Sequence, residues 1–415
     1  MTFIRNLIIV SVLIIVIVKI YKYRKYVLPE KRKREYFNQM LSNIKFKSLD
    51  EHIPYYLSET KVSKYANRIS FHTFIPLRLW IAKQDILEMQ LNKKVIDIKQ
   101  SETDNRKINL YIETDPLPTR IDWDDKYMSK GVVFTLGEDH YGRVGVCLET
   151  TPHGFIAGET GSGKSNILKC FIHQALMKKY EVILIDFKRG VSFSEFRNEV
   201  EVYYEYKEVI RVLQDLVNET VSRLDKFRKC NVDNLRDYNL ANTNSLNRKI
   251  VFIDELAELL KTRDKVISNI LYESIETLTR LSRAVGIHLI MGIQRPDSTV
   301  ISGQIKSNVS FRICGHFVDK EPSRIMLGTD IATNLPNIKG RFILKDDDVV
   351  EVQSFLFEGA RNRAVEVQEV VAPIIDVPAE KIEPEPNKAP KIEEPKKSPA
   401  SIGESMEFDF SEFRK

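Results

Sequence analysis

The stretch Gly158-Glu159-Thr160-Gly161-Ser162-Gly163-Lys164-Ser165 decides the fold of this chain. Its pattern, GxxxxGK followed by Ser, is that of a phosphate-binding loop. Glycines allow the backbone to turn so that several N–H groups point at one anion. Lys164 would reach the β- and γ-phosphates of a nucleotide, and the Ser165 hydroxyl would hold Mg²⁺. We therefore expect all eight residues to bind a nucleotide.

The residues on either side of the loop support this interpretation. The apolar run GFIA at 154–157 is typical of a buried strand. Residues 166–172 continue as a helix whose N-terminus would face the phosphates. A chance glycine turn does not account for a strand before the loop and a helix after it.

A second motif, IVFIDE, occupies residues 250–255. Its four apolar residues predict a buried strand, with two carboxylates at the carboxyl end, where open α/β sheets bind ligands. Asp254 would hold Mg²⁺ directly or through water, and Glu255 would orient and deprotonate the attacking water. The alternative is a solvated strand end, which the loop at 158–165 makes the weaker interpretation.

Composition sets the remaining bounds. The 415 residues suffice for two or three domains, and 29% charged and 43% hydrophobic residues are ordinary for a globular protein. A net charge of +5 is too small to indicate nucleic-acid binding by itself. The four cysteines lack CxxC spacing and the seven histidines form no ligand cluster. We therefore expect reduced thiols and no transition-metal site.

The N-terminus is predicted to be a membrane anchor. Residues 7–18 are apolar except for Ser11, a core shorter than the roughly 20 residues of an ordinary spanning helix. A signal peptide and an interfacial helix are the alternatives, but no small-residue cleavage site follows the core. Basic residues follow instead, including KRKR at 31–34, which places the body of the protein in the cytoplasm. We expect residues 1–36 to be a single-pass anchor in the cell membrane with a basic juxtamembrane segment.

A small α+β domain is predicted at 37–130. Residues 76–91 have helical spacing, with Trp80 packed inside. Residues 94–98 and 107–112 alternate with period two around a polar turn, which predicts a hairpin. Nothing here carries chemistry, so we interpret the domain as an assembly or adaptor module.

The region 131–358 carries the alternating strands and helices of a mostly parallel sheet covered on both faces. A long amphipathic helix is predicted at 207–228. Beyond the two motif strands, further strands are predicted at 132–136, 143–148, 181–186 and 288–293. Gln294 ends the last of these, where its amide could contact the γ-phosphate or the attacking water, or simply cap the loop that Arg295-Pro296 begins.

Several blocks of this region resemble the FtsK/SpoIIIE family. They are LGED at 136–139, TPH at 151–153 followed by AGETGSGKS, RDYN at 236–239, RAVGIHL at 283–289, QRP at 294–296 and IKSN at 305–308. The resemblance covers about residues 131–358. It implies a RecA-like P-loop ATPase that assembles as a ring, usually a homo-hexamer, with ATP and Mg²⁺ between subunits. Such rings pump double-stranded DNA through a central channel.

The resemblance also assigns roles to residues. Lys164, Ser165, Asp254 and Glu255 match the nucleotide motifs, with Ser165 and Asp254 as the magnesium ligands. Arg283 falls where the family has the arginine finger that completes the neighbour's site, although Arg280 is a competing candidate.

Two further roles follow from the resemblance. Gln294 matches the sensor position of the family. Lys306 and Arg312 are candidates for contacting DNA phosphates, although solvation at the surface explains them equally well.

Departures from the family narrow the role. Its chromosome-segregating members have several membrane spans and a C-terminal winged-helix domain, for which we expect no room here. Residues 359–415 are rich in Pro, Glu and Lys, which predicts a disordered tail. The tail includes MEFDFSEF at 406–413, either a docking peptide or an inert end.

A single motor on a single anchor is most similar to the TcpA-like coupling proteins of Gram-positive conjugative plasmids and integrative elements. This similarity implies DNA, the membrane, a relaxase and transfer-channel proteins as partners. Three alternatives remain open: a chromosome-partition translocase, a protein-secretion ATPase of the same family, and a nucleotide-gated scaffold that does not pump.

Overall fold

The computed structural model describes residue 14 and residues 16–298 and 300–359. Most of the predicted anchor core at 7–18 lies outside these residues, and so does the predicted tail beyond residue 359. Within the described part of the chain, no helix has both the length and the apolar character needed to span a bilayer. The single-pass anchor therefore stays a prediction.

Helix α1 (Leu28–Asn43) is the first long element, and a π-helical turn, Tyr23–Val27, leads into it. It crosses position 36, the predicted end of the anchor segment. Phe37, Met40 and Leu41 are buried in the core of the small domain. The second half of α1 is thus part of that domain.

The small domain contains a four-stranded antiparallel sheet in the order β1-β2-β4-β3. Its strands are β1 (Tyr55–Lys61), β2 (Ala66–His72), β3 (Val95–Gln100) and β4 (Lys107–Glu113). The predicted hairpin is confirmed as β3–β4. The β1–β2 hairpin was not predicted.

The predicted helix at 76–91 is in fact two helices, α2 (Leu77–Ile81) and α3 (Gln84–Leu91). The chain leaves helical geometry at Lys83, whose φ is −106° and ψ is 9°. The side chain of Gln84 then donates to the carbonyl of Val95 at 3.1 Å, which ties the start of α3 to β3. Contact with the sheet, which local spacing does not reveal, accounts for the break.

Trp80 is fully buried, as predicted, with its ring centroid 4.8 Å from that of Phe46 and 5.3 Å from that of Phe71. We expect Trp80→Ala to lower the free energy of unfolding by about 3–5 kcal/mol, because the cavity left in this core cannot close fully. Urea denaturation of the purified protein measures the change. Met89→Ala is the matched control, since Met89 is 79% exposed on the adjacent helix. Equal stabilities for the two variants would contradict this description of the core.

The region predicted at 131–358 forms a ten-stranded sheet in the order β6-β5-β14-β13-β12-β7-β11-β10-β8-β9. From β12 to β9 the strands are parallel, and the other four extend the sheet with antiparallel pairings. The strands are β5 (Val133–Asp139), β6 (Gly142–Cys147), β7 (Gly154–Ala157), β8 (Glu181–Ile185), β9 (Val202–Tyr203), β10 (Lys249–Ile253), β11 (Ile287–Ile293), β12 (Phe311–Gly315), β13 (Arg341–Lys345) and β14 (Val349–Ser354). The predicted α/β fold with a mostly parallel sheet is confirmed.

Helices cover both faces of this sheet, as predicted. They are α4 (Lys164–Met177), α5 (Tyr206–Cys230), α6 (Leu235–Ala241), α7 (Leu256–Leu260), α8 (Lys265–Leu281), α9 (Gly303–Asn308) and α10 (Lys320–Leu327). Alternate strand residues enter two separate cores. Val251 and Ile253 pack with α5 and α8, whereas Ile250 and Phe252 pack with α4.

Polar contacts join the small domain to the turn of the β5–β6 hairpin. The hydroxyl of Tyr65 donates to Glu138 at 2.6 Å, and the ammonium of Lys64 lies 2.9 Å from the same carboxylate. On the other side of the turn, His140 Nε2 lies 2.9 Å from Glu113 Oε1. These contacts hold the small domain directly against the ten-stranded sheet.

Candidate functional site

The phosphate-binding loop connects β7 to α4, as predicted. Gly161 and Gly163 have φ values of +88° and +110°, a region that favours glycine because other residues have a Cβ that is strained there. The N–H of Gly158 donates to the carbonyl of Ile293 at 3.2 Å, which fixes the start of the loop against β11. The loop is thus held open by its glycines and anchored on the neighbouring strand.

The remaining loop side chains differ in their surroundings. Glu159 and Thr160 are exposed, and Glu159 Oε1 accepts a hydrogen bond from the N–H of Val318 at 3.1 Å. The hydroxyl of Ser162 is buried and has no hydrogen-bond partner among the described residues. An unpaired buried hydroxyl at the centre of a loop of this kind is a free donor for an anion.

The structure brings together the four residues of the two nucleotide motifs. Lys164 is 5% exposed, and its ammonium donates to the carbonyl of Asp254 at 2.9 Å and to Glu255 Oε2 at 3.0 Å. The hydroxyl of Ser165 lies 3.4 Å from Asp254 Oδ1. Since β7 and β10 are separated only by β11, the loop and the carboxylates meet at the carboxyl edge of the sheet.

The other oxygen of Asp254 is held by residues that the sequence analysis did not assign. Asp254 Oδ2 accepts hydrogen bonds at 2.9 Å from Lys188 Nζ and from Ser192 Oγ. Burial alone would raise the pKa of Asp254, but the charges of Lys164 and Lys188 outweigh it, so the pKa lies below its usual value. Asp254 is consequently a carboxylate at neutral pH.

Lys188 and Ser192 reach Asp254 because their loop folds around Asp186, the residue that follows β8. Asp186 Oδ1 accepts from the N–H of Lys188 at 2.9 Å, and Oδ2 accepts from the N–H of Ser192 at 2.8 Å. The sequence contained one usable signal, since Asp186 follows a buried strand directly. What it did not reveal is that β8 and β10 are neighbours in the sheet.

Magnesium with a nucleotide fits these residues. Mg²⁺ prefers oxygen ligands and commonly combines one carboxylate with a hydroxyl and phosphates. Ser165 and Asp254 supply such oxygens side by side, and the unpaired hydroxyl of Ser162 lies in the loop that precedes them. The donor set therefore agrees with the predicted cofactors.

Gln294 lies immediately after β11, the strand between the loop and the carboxylates. Its backbone N–H donates to both oxygens of Glu255, at 3.1 and 3.0 Å. Together with Lys164, this N–H fixes the Glu255 carboxylate in one orientation. The sequence predicts a role only for the side-chain amide of Gln294. The contact of its backbone N–H with Glu255 is an additional role.

Arg283 does not lie beside the phosphate-binding loop of its own chain. It lies in the turn that joins α8 to the amino end of β11, whereas the phosphate-binding loop lies at the carboxyl ends of the strands. The side chain is exposed, and its Nη2 donates to the carbonyl of Glu149 at 3.3 Å. Arg280, the competing candidate, is also exposed, in the last turn of α8.

Arg312 has a structural task in this fold. Its guanidinium donates to the carbonyls of Met326 and Lys306 at 3.0 and 2.7 Å, and burial lowers its pKa. It thereby holds α9 and α10 against β12. The side chain of Lys306 is half-buried, and burial together with the charges of Arg312 and Lys345 lowers its pKa.

Two fully buried histidines connect β7 to β11. His153 Nδ1 accepts from the N–H of Leu289 at 3.1 Å, and His288 Nδ1 donates to the carbonyl of Pro152 at 2.9 Å. His288 Nε2 then accepts from Arg248 at 2.6 Å. Both rings are neutral in this arrangement. Burial and the charge of Arg283 lower the pKa of His153 to about 3, and burial and Arg248 lower that of His288.

These histidines predict a loss of stability in acid. Below pH 6.5 the unfolded chain binds two protons that the folded protein does not bind, so the free energy of unfolding falls as the pH falls. We expect a loss of about 2–3 kcal/mol between pH 7.5 and pH 5.5, measured by urea denaturation. His153→Asn keeps an acceptor for Leu289 and should remove about half of the difference. His52→Gln, at an exposed position, is the control, and an identical pH dependence in all three proteins would contradict the assignment.

The fold and the assembled site define a P-loop ATPase, and comparison with known proteins identifies its family. The FtsK/SpoIIIE family model matches residues 122–298. DNA translocase FtsK of Staphylococcus aureus strain Mu50 is 30% identical over 351 residues, which cover 76% of this chain and 42% of that protein. DNA translocase FtsK of Leptospira interrogans is 32% identical over 245 residues, covering 54% of this chain and 25% of that protein. The chain thus spans less than half the length of these relatives.

Among solved structures, the pCW3 conjugation coupling protein TcpA, in a monomer form with ATPγS, superposes with a TM-score of 0.58 and 35% identity. The match covers 78% of this chain and 95% of that one. EssC (ATPases 2 and 3) from Geobacillus thermodenitrificans has a TM-score of 0.50 at 19% identity and covers 58% of this chain and 48% of its own, a likeness of fold alone. This chain belongs to the FtsK/SpoIIIE family.

Proposed function

We propose that this protein is a membrane-anchored ATPase that uses ATP hydrolysis to move DNA, and that it serves as the coupling protein of a conjugative element. The proposed ATPase activity rests on the arrangement around Glu255. Its carboxylate contacts the ammonium of Lys164 and also accepts a hydrogen bond from the N–H of Gln294. The likeness to the TcpA coupling protein, which extends over 95% of that structure, favours the conjugative role.

The residues of the site divide the binding and the chemistry between them in this proposal. The loop N–H groups, Ser162 and Lys164 bind the phosphates, and Ser165 and Asp254 hold Mg²⁺, which neutralises phosphate charge. Glu255 orients the attacking water and accepts its proton. Because Lys164 and the N–H of Gln294 both contact Glu255, its carboxylate is positioned before the water arrives.

Completion of the site requires a second subunit. Arg283 lies at the opposite edge of the sheet from its own loop, so it can reach phosphates only in a neighbouring subunit. A closed ring of identical subunits, a homo-hexamer in this proposal, would pair every loop with a neighbour's Arg283. Its positive charge would stabilise the transition state of hydrolysis.

The partners follow from this role. DNA would be held through its phosphates with little sequence preference, as suits a pump. The basic residues after position 18 would keep the motor on the cytoplasmic side of the membrane. A relaxase and transfer-channel proteins would deliver and receive the DNA.

The test is ATP hydrolysis by the full-length protein with and without duplex DNA, with single-stranded DNA and with peptide as separate arms. We expect duplex to stimulate hydrolysis, and Lys164→Ala to abolish both basal and stimulated rates. Hydrolysis that responds to peptide and ignores DNA would instead support a secretion ATPase. A hydrolysis rate unchanged by Lys164→Ala would contradict the assigned site.

Chromosome translocation is the second candidate, because the FtsK relatives are named DNA translocases. A strain that carries the element and a Glu255→Gln allele of this gene separates the two roles. Loss of conjugative transfer with normal growth and division supports the coupling role. Normal transfer with defective chromosome segregation would contradict it.

A further inference from the structure

Arg223 is a buried charged residue that has no role in the site described above. It lies on α5 and is 2% exposed. Its Nε and Nη2 donate to Glu219 Oε1 at 3.0 and 2.6 Å. Its Nη1 donates to two backbone carbonyls, those of Asn247 at 2.8 Å and Val285 at 2.9 Å. One guanidinium therefore joins the middle of α5 to two separate segments at the amino edge of the sheet.

One of these segments is the turn that carries Arg283. The carbonyl of Ala284 in the same turn accepts from the N–H of Leu235 at 2.8 Å, and the carbonyl of Gly286 accepts from the N–H of Lys249 at 2.9 Å. Three successive carbonyls, of residues 284, 285 and 286, thus have donors on three different elements. Arg223 supplies the only side-chain donor of the three.

The packing of this turn leaves little freedom. Gly286 has a φ of +75°, and a Cβ at this position would lie 2.2 Å from Leu235 Cδ2. The turn is therefore pressed against α6 while its carbonyls are held from α5 and β10. In contrast, the side chain of Arg283 is exposed, and its one hydrogen bond among the described residues is that with the carbonyl of Glu149. Its position depends on the backbone that carries it.

We propose that Arg223 is a positioning residue for Arg283. Arg223 holds the turn so that the exposed guanidinium of Arg283 points to the neighbouring subunit. The proposal rests on the function proposed above for Arg283. Loss of the Val285 contact removes one of the three carbonyl contacts that hold the turn, and it does not touch the subunit's own nucleotide loop. The defect therefore appears in the neighbour's hydrolysis and not in the subunit's own nucleotide binding.

A mixing experiment with full-length subunits separates these two effects. Arg283→Ala subunits have an intact loop but supply no finger, and Glu255→Gln subunits supply a finger but do not hydrolyse. In mixed rings the Glu255→Gln subunits should restore ATP hydrolysis by the Arg283→Ala subunits. The hydrolysis rate of the mixture should be at least about tenfold above the sum of the rates of the two unmixed proteins. In the comparison, the Glu255→Gln subunit, which donates the finger, is replaced by the double variant Glu255→Gln/Arg223→Gln. We expect this donor to restore at least about fivefold less ATP hydrolysis.

The controls keep folding apart from positioning. Arg228→Gln in the donor is the matched variant, because Arg228 lies on the same helix but is exposed, and its one ion pair among the described residues is with Asp225. Each donor must bind a fluorescent ATP analogue and enter mixed rings with the same affinity as the parent. Arg223→Lys keeps the charge beside Glu219 and should recover part of the rescue.

A second measurement covers the case in which Arg223→Gln weakens the fold. If Arg223 acts through Arg283, the variant Arg283→Ala/Arg223→Gln is no slower than Arg283→Ala alone, whereas a general structural defect adds to the loss. Full rescue by the Arg223→Gln donor, or additive losses in the double variant, would overturn the proposal. Glu255→Gln could also fail to rescue Arg283→Ala while the wild type still shows DNA-stimulated hydrolysis. That result would contradict the site shared between subunits and the role of Arg223, but it would leave the proposed DNA-translocating ATPase standing.

Discussion

Arg283→Ala is expected to lower DNA-stimulated ATP hydrolysis by about 10³-fold or more, the effect of removing an arginine finger. The physical reason is that a guanidinium inside a closed site stabilises charge that develops only in the transition state. Binding of ATPγS should stay within about twofold of wild type, because Arg283 lies far from its own subunit's loop. The kcat and the KM from steady-state kinetics, with the Kd for ATPγS, measure the two effects separately.

Arg280→Ala is the matched control for this prediction. Arg280 is exposed and precedes Arg283 by less than one helical turn, but it lies in α8 and not in the anchored turn. We expect it to retain most of the activity. The reverse pattern, an inactive Arg280→Ala and an active Arg283→Ala, would assign the finger to Arg280 and contradict the present assignment.

Glu255→Gln should produce the other large effect, a fall in kcat of about 10²–10⁴-fold, which is the usual contribution of a general base. The amide has the shape of the carboxylate and can still accept from the N–H of Gln294, so the site stays assembled. It cannot take a proton from water. We therefore expect ATP to bind and remain unhydrolysed, which single-turnover experiments with radiolabelled ATP detect directly.

Glu258→Gln provides the control for the second prediction. Glu258 is an exposed carboxylate one turn further along the chain. Its loss changes the net charge equally and also removes a charge that acts on Lys188, while the hydrogen bonds of Glu255 stay in place. We expect rates close to wild type. Comparable losses in both variants would mean that negative charge, and not a base at position 255, supports hydrolysis.

The predictable parts of the site are those whose residues are close together in the sequence. The loop at 158–165 has its glycines, lysine and serine in one run, and Asp254 and Glu255 directly follow a buried strand. In both cases the strand end fixes the edge of the sheet on which the side chains lie. The long helix α5 was predictable for the same reason, since its apolar residues repeat with helical period.

The other features of the site and the fold depend on which strands are neighbours in the sheet. A local sequence pattern does not reveal the order of the strands. Lys188 and Ser192 reach Asp254 only because β8 pairs with β10 and the loop after β8 folds around Asp186. Arg223 reaches the turn of Arg283 across residues that are 62 positions apart in sequence. The break in the predicted helix at 76–91 likewise results from the contact of Gln84 with β3.

Arg312 shows a structural role that local sequence patterns do not reveal, and contact with DNA stays a prediction for it. A basic residue near a resemblance block was a candidate for contacting DNA. The structure gives both of its terminal nitrogens backbone carbonyls to bind, at 3.0 and 2.7 Å. A guanidinium so engaged stabilises the packing of α9 and α10.

The central claim is that ATP hydrolysis at the site of Lys164 and Glu255 moves the protein along duplex DNA. Displacement of the third strand from a DNA triplex by the full-length protein measures this movement directly. We predict displacement that requires ATP and that is lost in Glu255→Gln but retained in Glu258→Gln. DNA-stimulated hydrolysis by the wild type without any displacement, over duplex lengths at which hydrolysis is saturated, would contradict the claim.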